Sequence, residues 1–193
     1  MLVYFVTEPT SPSDTFKYLK YITFESLNNN MIIKLKNKDK LLYDEFVFKC
    51  SIGKNGLKKN KIEGDKSTPK GLFSLGKVYY RPDRIDKPNT KLKIKKITRK
   101  MGWCDDSKNK KYNKEILLSK KNKGEKLFRS DCIYDLILVI NYNTRRTIKN
   151  KGSAIFIHLA ENYKPTLGCV AIQKNDLLVL LKLIDTKTKI RIS

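Results

Sequence analysis

Apolar residues follow one another along this chain in short alternating or continuous runs that are typical of β-strands. The segment "MIIKLKNKDKLLYDEFVFKCSIG" (31–53) predicts two strands around a turn at residues 37–40. The segment "EGDKSTPKGLFSLGKVYY" (63–80) has glycine and proline at turn spacing, which predicts tight connections between short strands. The runs at 132–143 and 153–160 are rich in β-branched residues and predict buried strands. The pattern indicates a mainly β protein.

Three later segments depart from this pattern or complete it. The segment "NDLLVLLKLID" (175–185) predicts an amphipathic helix with Asn175 as its N-cap, and "KIRIS" predicts a short final strand. Residues 81–130 are polar, lack sustained periodicity and carry the only tryptophan, so we expect a functional cover or a mobile loop there. Because the sequence shows neither an internal repeat nor a linker, we expect one domain over residues 1–193.

The formal net charge of +23 raises the question of nucleic-acid binding. Only seven of the 42 basic residues are arginine, whose planar guanidinium is the better group for bidentate phosphate and base recognition. The lysines are spread over most predicted loops and are mixed with asparagine and isoleucine. We therefore expect a solvated basic surface with a general affinity for anionic envelope polymers, and no nucleic-acid partner.

No apolar stretch is long enough to span a bilayer, so we expect no transmembrane segment. The opening "MLVYFVTEPT" lacks the features of a secretory signal. The segment "GDKST" is not a phosphate-binding loop, because Asp65 interrupts the required Gly-Lys-Ser/Thr sequence. We expect no nucleotide and no organic cofactor.

The cysteine and histidine content argues against a metal site. The four cysteines form no CxxC pair, and the chain has one histidine, so the spacing of a zinc site is missing. We expect Cys50 and Cys132 to be small apolar residues of the interior.

The segment "IFIHLAENYKPTLGCVAI" (155–172) holds the single histidine, His158, eleven positions before Cys169. A cysteine is nucleophilic as the thiolate, and a neighbouring imidazole promotes its formation, so we expect the thiol to be partly ionised near neutral pH. Gly168 leaves room for a substrate beside the sulfur, and nearby backbone N–H groups are candidates for an oxyanion hole. On spacing alone, a structural histidine and an inert cysteine remain the alternative.

Separated motifs in this chain occur in an order that resembles a known family. The segments "EGDKSTPKGLFSL", "IFIHLA" and "TLGCVAI" resemble the L,D-transpeptidase catalytic domain of the YkuD type. The segments "GWCDD" (102–106), "YDL" (134–136) and "GSAIFIH" (152–158) resemble a proteobacterial branch of it. The resemblance extends from about residue 30 to the end of the sequence and is strongest over 30–193.

This resemblance implies a YkuD-like β-sandwich with a few short helices, one of them after the catalytic cysteine. It implies that Cys169 attacks a peptide carbonyl of a peptidoglycan stem peptide, that His158 exchanges the protons, and that the backbone at Gly168 and Cys169 holds the oxyanion. Two residues depart from the better-known motif. Leu167 and Ala171 stand where that motif has histidine and arginine, and the His-to-Cys spacing is shorter.

Without that arginine, other residues must bind the charged parts of a stem peptide. We expect Arg84 to pair with a carboxylate, Asp105 to meet an ammonium group and Trp103 to line the substrate site. A surface ion pair, a turn cap and a core position are the respective structural alternatives.

Three functions follow as candidates: an L,D-transpeptidase, an L,D-carboxypeptidase or endopeptidase that uses water as acceptor, and a non-catalytic basic module that binds wall polymer or nucleic acid. The enzymatic alternatives place the protein in the cell envelope or periplasm, although no signal peptide is visible. The oligomeric state does not follow from the sequence.

Overall fold

The computed structural model describes residues 32–193, and the earlier segment that contains "MLVYFVTEPT" lies outside the described residues. The strands and the helix are β1 (Ile32–Lys36), β2 (Lys40–Tyr43), β3 (Phe46–Ser51), β4 (Leu57–Lys58), β5 (Thr68–Pro69), β6 (Gly71–Tyr80), β7 (Ile94–Lys96), β8 (Met101–Trp103), β9 (Glu115–Leu117), β10 (Glu125–Lys126), β11 (Leu136–Ile140), β12 (Phe156–Leu159), β13 (Val170–Ile172), α1 (Lys174–Leu183) and β14 (Lys189–Ile192). The fold is mainly β, as predicted, and the single helix of the described part follows β13, the strand that begins directly after Cys169.

Eight strands form a closed circuit of hydrogen-bonded neighbours in the order β6-β11-β12-β13-β3-β2-β1-β14 and back to β6. Two strands of this circuit, β6 and β3, each pair with one neighbour along their first part and with another neighbour along their second part. In β6, residues 71–74 pair with β14 and residues 75–80 pair with β11. In β3, residues 46–49 pair with β2 and residues 50–51 pair with β13. Two sheets therefore face each other and are joined by the two shared strands.

Side chains of β11 and β12 alternate between two apolar clusters, because successive residues of a strand point to opposite faces. Ile157 and Leu159 belong to the cluster between the two sheets, which also receives Leu177, Leu180 and Leu181 of α1. Phe156 belongs to a second cluster on the outer face of the same sheet. His158 shares the parity of Phe156, so the strand period sends the imidazole to the outer face.

A small sheet in the order β10-β8-β9 covers that outer face. It is built from the polar segment 81–130, which therefore contains strands rather than the irregular loop expected from sequence. Trp103 lies 6% exposed in the second cluster, with its ring edge-to-face on Phe156 at a centroid distance of 5.1 Å. The insertion is thus a packed cover for the sheet that carries His158.

Several local predictions were wrong in detail. Residues 31–53 contribute three strands rather than two, because Asp44 adopts φ 53° and starts a second tight turn. Gly76 lies inside β6 rather than in a turn; a Cβ there would be 2.8 Å from Asn141 Oδ1 and 3.0 Å from Val139 Cβ, so glycine admits the close approach of β11. The N-cap of α1 is Gln173, since the chain enters the helix directly from β13, and Asn175 lies in its first turn.

Among residues 32–193, no helix has the length and apolar character needed to cross a membrane.

Candidate active site

Two adjacent parallel strands bring His158 and Cys169 to the same cleft. His158 lies in β12 opposite Ala171 of β13, and Cys169 immediately precedes β13. The thiol Sγ accepts a hydrogen bond from the Phe156 N–H at 3.4 Å. Cys169 packs in the same cluster as Phe156, so the sulfur lies on the outer face of the sheet, the face of the imidazole. The pairing of these strands thus brings the two groups into one site although eleven positions separate them in sequence.

The cleft has a volume of about 580 Å³ and is open to solvent. Its wall includes residues 164–169 and many ionisable residues. The ionisable residues that line it are Lys61, Glu63, Asp105, Glu125, Arg129, Tyr134, His158, Glu161, Lys164 and Cys169.

The thiol of Cys169 is protonated at neutral pH in this structure. Burial and the charge of Glu125 raise its pKa to about 12, and the Phe156 N–H and Lys61 only partly oppose this. The S–H donates to the carbonyl oxygen of Ala154 at 3.1 Å. The hydrogen-bond acceptor for the thiol is thus a backbone carbonyl and not the imidazole.

His158 is neutral as well, and its hydrogen bond defines the tautomer. Burial lowers its pKa to about 4, despite the hydrogen bond to Leu159 O that favours the charged form. Because a carbonyl can only accept, Nδ1 carries the proton that is donated to Leu159 O at 2.9 Å, and Nε2 keeps a free electron pair. The predicted partly ionised thiol is therefore wrong, since burial disfavours both charges.

Tyr134 and Glu125 form the wall above the imidazole. The Tyr134 ring packs edge-on against the ring of His158 at 5.5 Å between centroids, and its hydroxyl donates to Glu125 Oε1 at 2.5 Å. Burial raises the pKa of Glu125, and burial together with Cys169 and Glu125 raises that of Tyr134 well above 10. This pair holds the aromatic ring that orients His158.

A hydrogen-bond relay connects the small sheet to the carbonyl that receives the thiol proton. Asn113 Oδ1 accepts from Trp103 Nε1 at 2.9 Å and from the Ala154 N–H at 3.1 Å. Its Nδ2 donates to the carbonyls of Tyr142 and Asn143 at 3.0 and 2.8 Å. Ala154, at φ 52°, is thereby fixed with its carbonyl toward Cys169.

The turn before the nucleophile is fixed by Gly168 and two threonines. Gly168 has φ +141°, and a Cβ there would be 3.0 Å from the carbonyl oxygen of Ser67. The Gly168 N–H donates to Thr166 Oγ1 at 3.1 Å, and the hydroxyls of Thr166 and Thr68 donate to Cys169 O at 2.7 and 3.3 Å. The Gly168 amide is thus bound within the turn, which leaves the Cys169 amide as the candidate for an oxyanion.

Of the three predicted substrate residues, Asp105 lines the cleft, and burial raises its pKa. Trp103 and Arg84 lie outside the lining residues. Arg84 donates to the carbonyls of Ser130 and Asp131 at 2.9 and 2.8 Å and to Asp135 Oδ1 at 3.1 Å. The structure thus gives Arg84 and Trp103 partners within the fold, and their substrate roles remain predictions from sequence.

Sequence reasoning missed Lys61, Glu125, Arg129 and Tyr134 as parts of the site. Lys61 lies two positions before "EGDKST", one of the motifs that carry the family resemblance. The occurrence of this motif together with the Cys and His motifs was the available signal that its neighbours belong to the same site. The structure leaves all four cysteines as free thiols, with Cys50 and Cys104 buried and Cys132 exposed; the expected interior position is thus correct for Cys50 and wrong for Cys132.

A cysteine and a histidine that share a cleft on the face of a mainly β sandwich are the arrangement of enzymes that use a thiol nucleophile. The model of the YkuD family, the L,D-transpeptidase catalytic domain, matches residues 20–192. The chain therefore belongs to the YkuD family, which indicates a cysteine-dependent enzyme of the L,D-transpeptidase type. No curated protein and no solved structure gave a match to the chain. Whether "GWCDD" marks a particular branch stays a prediction.

Proposed function

We propose that this protein is a peptidoglycan L,D-transpeptidase that forms a thioester at Cys169 and transfers the acyl group to an amine. The observation that carries the proposal is the common cleft of Cys169 and His158, with Nε2 of the imidazole free to accept a proton. The family match over residues 20–192 supports it. We also propose that residues 1–193 form one catalytic domain.

In the proposed first step, His158 Nε2 takes the thiol proton as the sulfur attacks a stem-peptide carbonyl. Moving the proton within the pair creates opposite charges side by side, so the ions stabilise each other where neither would be stable alone. The carbonyl oxygen becomes an oxyanion that the backbone amide of Cys169 binds. The C–N bond then breaks, the leaving amine takes the proton from His158, and a thioester remains.

In the second step, an acceptor amine attacks the thioester carbonyl and gives its proton to His158. Collapse of the intermediate breaks the C–S bond, and the sulfur recovers the proton as the thiol. If water is the acceptor, the same steps give an L,D-carboxypeptidase or endopeptidase. Asp105, which lines the cleft, is proposed to form an ion pair with an ammonium group of the stem peptide. A peptidoglycan substrate implies that the protein acts in the cell envelope or periplasm.

Incubation of the purified full chain with defined muropeptides, followed by mass spectrometry, tests the reaction. Cross-linked dimers support transfer, trimmed monomers support hydrolysis, and unchanged substrate contradicts both. Cys169→Ala should abolish product and retain cooperative unfolding, because the change removes the nucleophile with little change in volume. Cys132→Ala is the matched control, since that exposed thiol lies outside the cleft lining and its removal should leave turnover unchanged. Undiminished turnover by Cys169→Ala would refute the mechanism.

A further inference from the structure

Lys61 is a buried lysine, 3% exposed, whose side chain runs along the backbone next to the nucleophile. A Cβ on Gly152, which has φ +97°, would be 2.7 Å from Lys61 Cε and 3.0 Å from Cδ. A Cβ on Gly168 would be 3.5 Å from Lys61 Nζ. The aliphatic part of the side chain thus lies against Gly152, and the ammonium ends beside the residue that precedes Cys169.

Asp65 holds this ammonium in place. Its Oδ1 lies 2.6 Å from Lys61 Nζ, and its carboxylate also accepts from the N–H groups of Ile62 and Ser67 at 2.9 and 3.0 Å. Burial raises the pKa of Asp65, but these hydrogen bonds and the charge of Lys61 outweigh it and lower the pKa to about 2. The carboxylate is therefore ionised at neutral pH and is fixed by its own loop.

The ammonium is not needed for packing. An uncharged side chain of similar length, such as methionine, would fill the same space, and removing charges from water costs free energy that an ion pair only partly returns. A buried ion pair is therefore weak evidence for a purely structural role. Its position in the wall of the cleft, beside the turn of Cys169, points to an electrostatic role.

Among residues 32–193, the charged and titratable side chains that act on the Cys169 thiol, apart from Lys61, carry no positive charge. Glu125 disfavours a negative sulfur, and Tyr134 interacts unfavourably with it when ionised. His158 is uncharged in this form. The further ionisable side chains that line the cleft are Glu63, Asp105, Arg129, Glu161 and Lys164. Lys61 is the cation whose charge favours ionisation of the sulfur.

We propose that Lys61, held by Asp65, supplies the positive charge that stabilises the Cys169 thiolate during attack. This inference rests on the proposed role of Cys169 as the nucleophile. Lys61 acts through the sulfur, so its effect should be visible in the chemistry of the thiol even without a peptide substrate.

Alkylation of Cys169 by iodoacetamide measures the thiolate directly, because the thiolate displaces iodide and a C–S bond forms. The full chain is labelled at pH 7 to 9.5, and the rate constant is read on the Cys169 peptide by mass spectrometry, which separates it from the exposed Cys132. Wild type should react about tenfold faster for each pH unit. In Lys61→Met the curve should be displaced so that the rate at each pH is at least tenfold lower.

Lys58→Met is the matched control. Lys58 Nζ lies 3.4 Å from the other oxygen of Asp65 and is 43% exposed, and Lys58 is outside the cleft lining. Its removal also lowers the net charge by one, yet the alkylation rate should stay within twofold of wild type. Urea unfolding identifies the folded fraction of each variant. If Lys61→Met does not fold, Lys61→Gln removes the charge and keeps a donor toward Asp65. Lys61→Arg, which restores a cation, should recover part of the rate.

Coincident alkylation curves for wild type and the charge-removing variants would overturn the inference, as would an equal displacement in Lys58→Met. A structural role predicts lower stability of Lys61→Met with an unchanged curve. Failure of the proposed function gives a different result: muropeptides remain unchanged by wild type while the alkylation curve is displaced in Lys61→Met.

Discussion

Acidification should destabilise this protein through its one imidazole. His158 has a pKa of about 4 in the folded chain against 6.5 when exposed, because burial disfavours the imidazolium. Since the folded-state pKa is the lower one, the unfolded chain binds the proton first as the pH falls. Stability is thus unaffected by this group above about pH 7 and is lost progressively as the pH falls from 6.5 to about 4.

The size of the loss follows from the difference between the two pKa values. At 1.36 kcal/mol per pKa unit the full effect is about 3 kcal/mol, and about 2 kcal/mol of it is lost between pH 7 and pH 5. His158→Gln removes the only histidine of the chain and therefore the whole effect. Carboxylates titrate in both proteins, so their contribution cancels in the comparison.

Urea unfolding at pH 7 and pH 5 measures the effect, with fluorescence of Trp103, the chain's single tryptophan, as the signal. The free energy of unfolding of wild type should fall by about 2 kcal/mol more than that of His158→Gln. An equal fall in both proteins would refute the burial argument. A smaller fall in wild type would show that the folded protein stabilises the imidazolium.

Three further sets of substitutions test particular contacts. Cys50→Ala should lower the free energy of unfolding by about 1 kcal/mol and Cys132→Ala by less than about 0.5 kcal/mol, because Cys50 is buried and Cys132 is exposed. Both variants should retain turnover, and loss of turnover at unchanged stability would contradict this. Gly168→Ala should cost about 1–3 kcal/mol and reduce turnover, since its Cβ meets backbone at φ +141°. Gly56→Ala has open space around its Cβ at φ +73° and should cost less. Asn113→Ala should cost about 3 kcal/mol, because it leaves several buried partners without hydrogen bonds; thermal unfolding within a degree of wild type would refute the relay.

Local patterns were enough to predict the class of fold, whereas the central pair of the site was predicted from the family resemblance. Alternation and β-branched residues mark β11 and β12, and the family resemblance assigned His158 and Cys169 to one centre, which the parallel pairing of β12 and β13 brings together. The period of two in β12 also decides the face of the imidazole.

The protonation state of the pair and its supports depend on contacts between distant segments. The thiol is neutral because it is buried and lies near Glu125. The sequence of the 155–172 segment does not show how deeply its residues are buried in the folded protein. Lys61 reaches Gly168 across more than a hundred positions. The polar composition of 81–130 predicted a loop because the apolar residues that it buries, such as Trp103, are few and far apart.

The position of β14 has a consequence for synthesis on the ribosome. This strand, formed by residues 189–192, lies between β1 and β6 and closes the circuit of strands. Until it has left the exit tunnel, the nascent chain presents two unpaired strand edges that are competent to pair with another chain. Closure joins residues separated by more than 150 positions, which slows folding. A chain stalled or cleaved shortly before β14 should therefore be a substrate for chaperones and prone to aggregation, even though its Cys169 segment is complete.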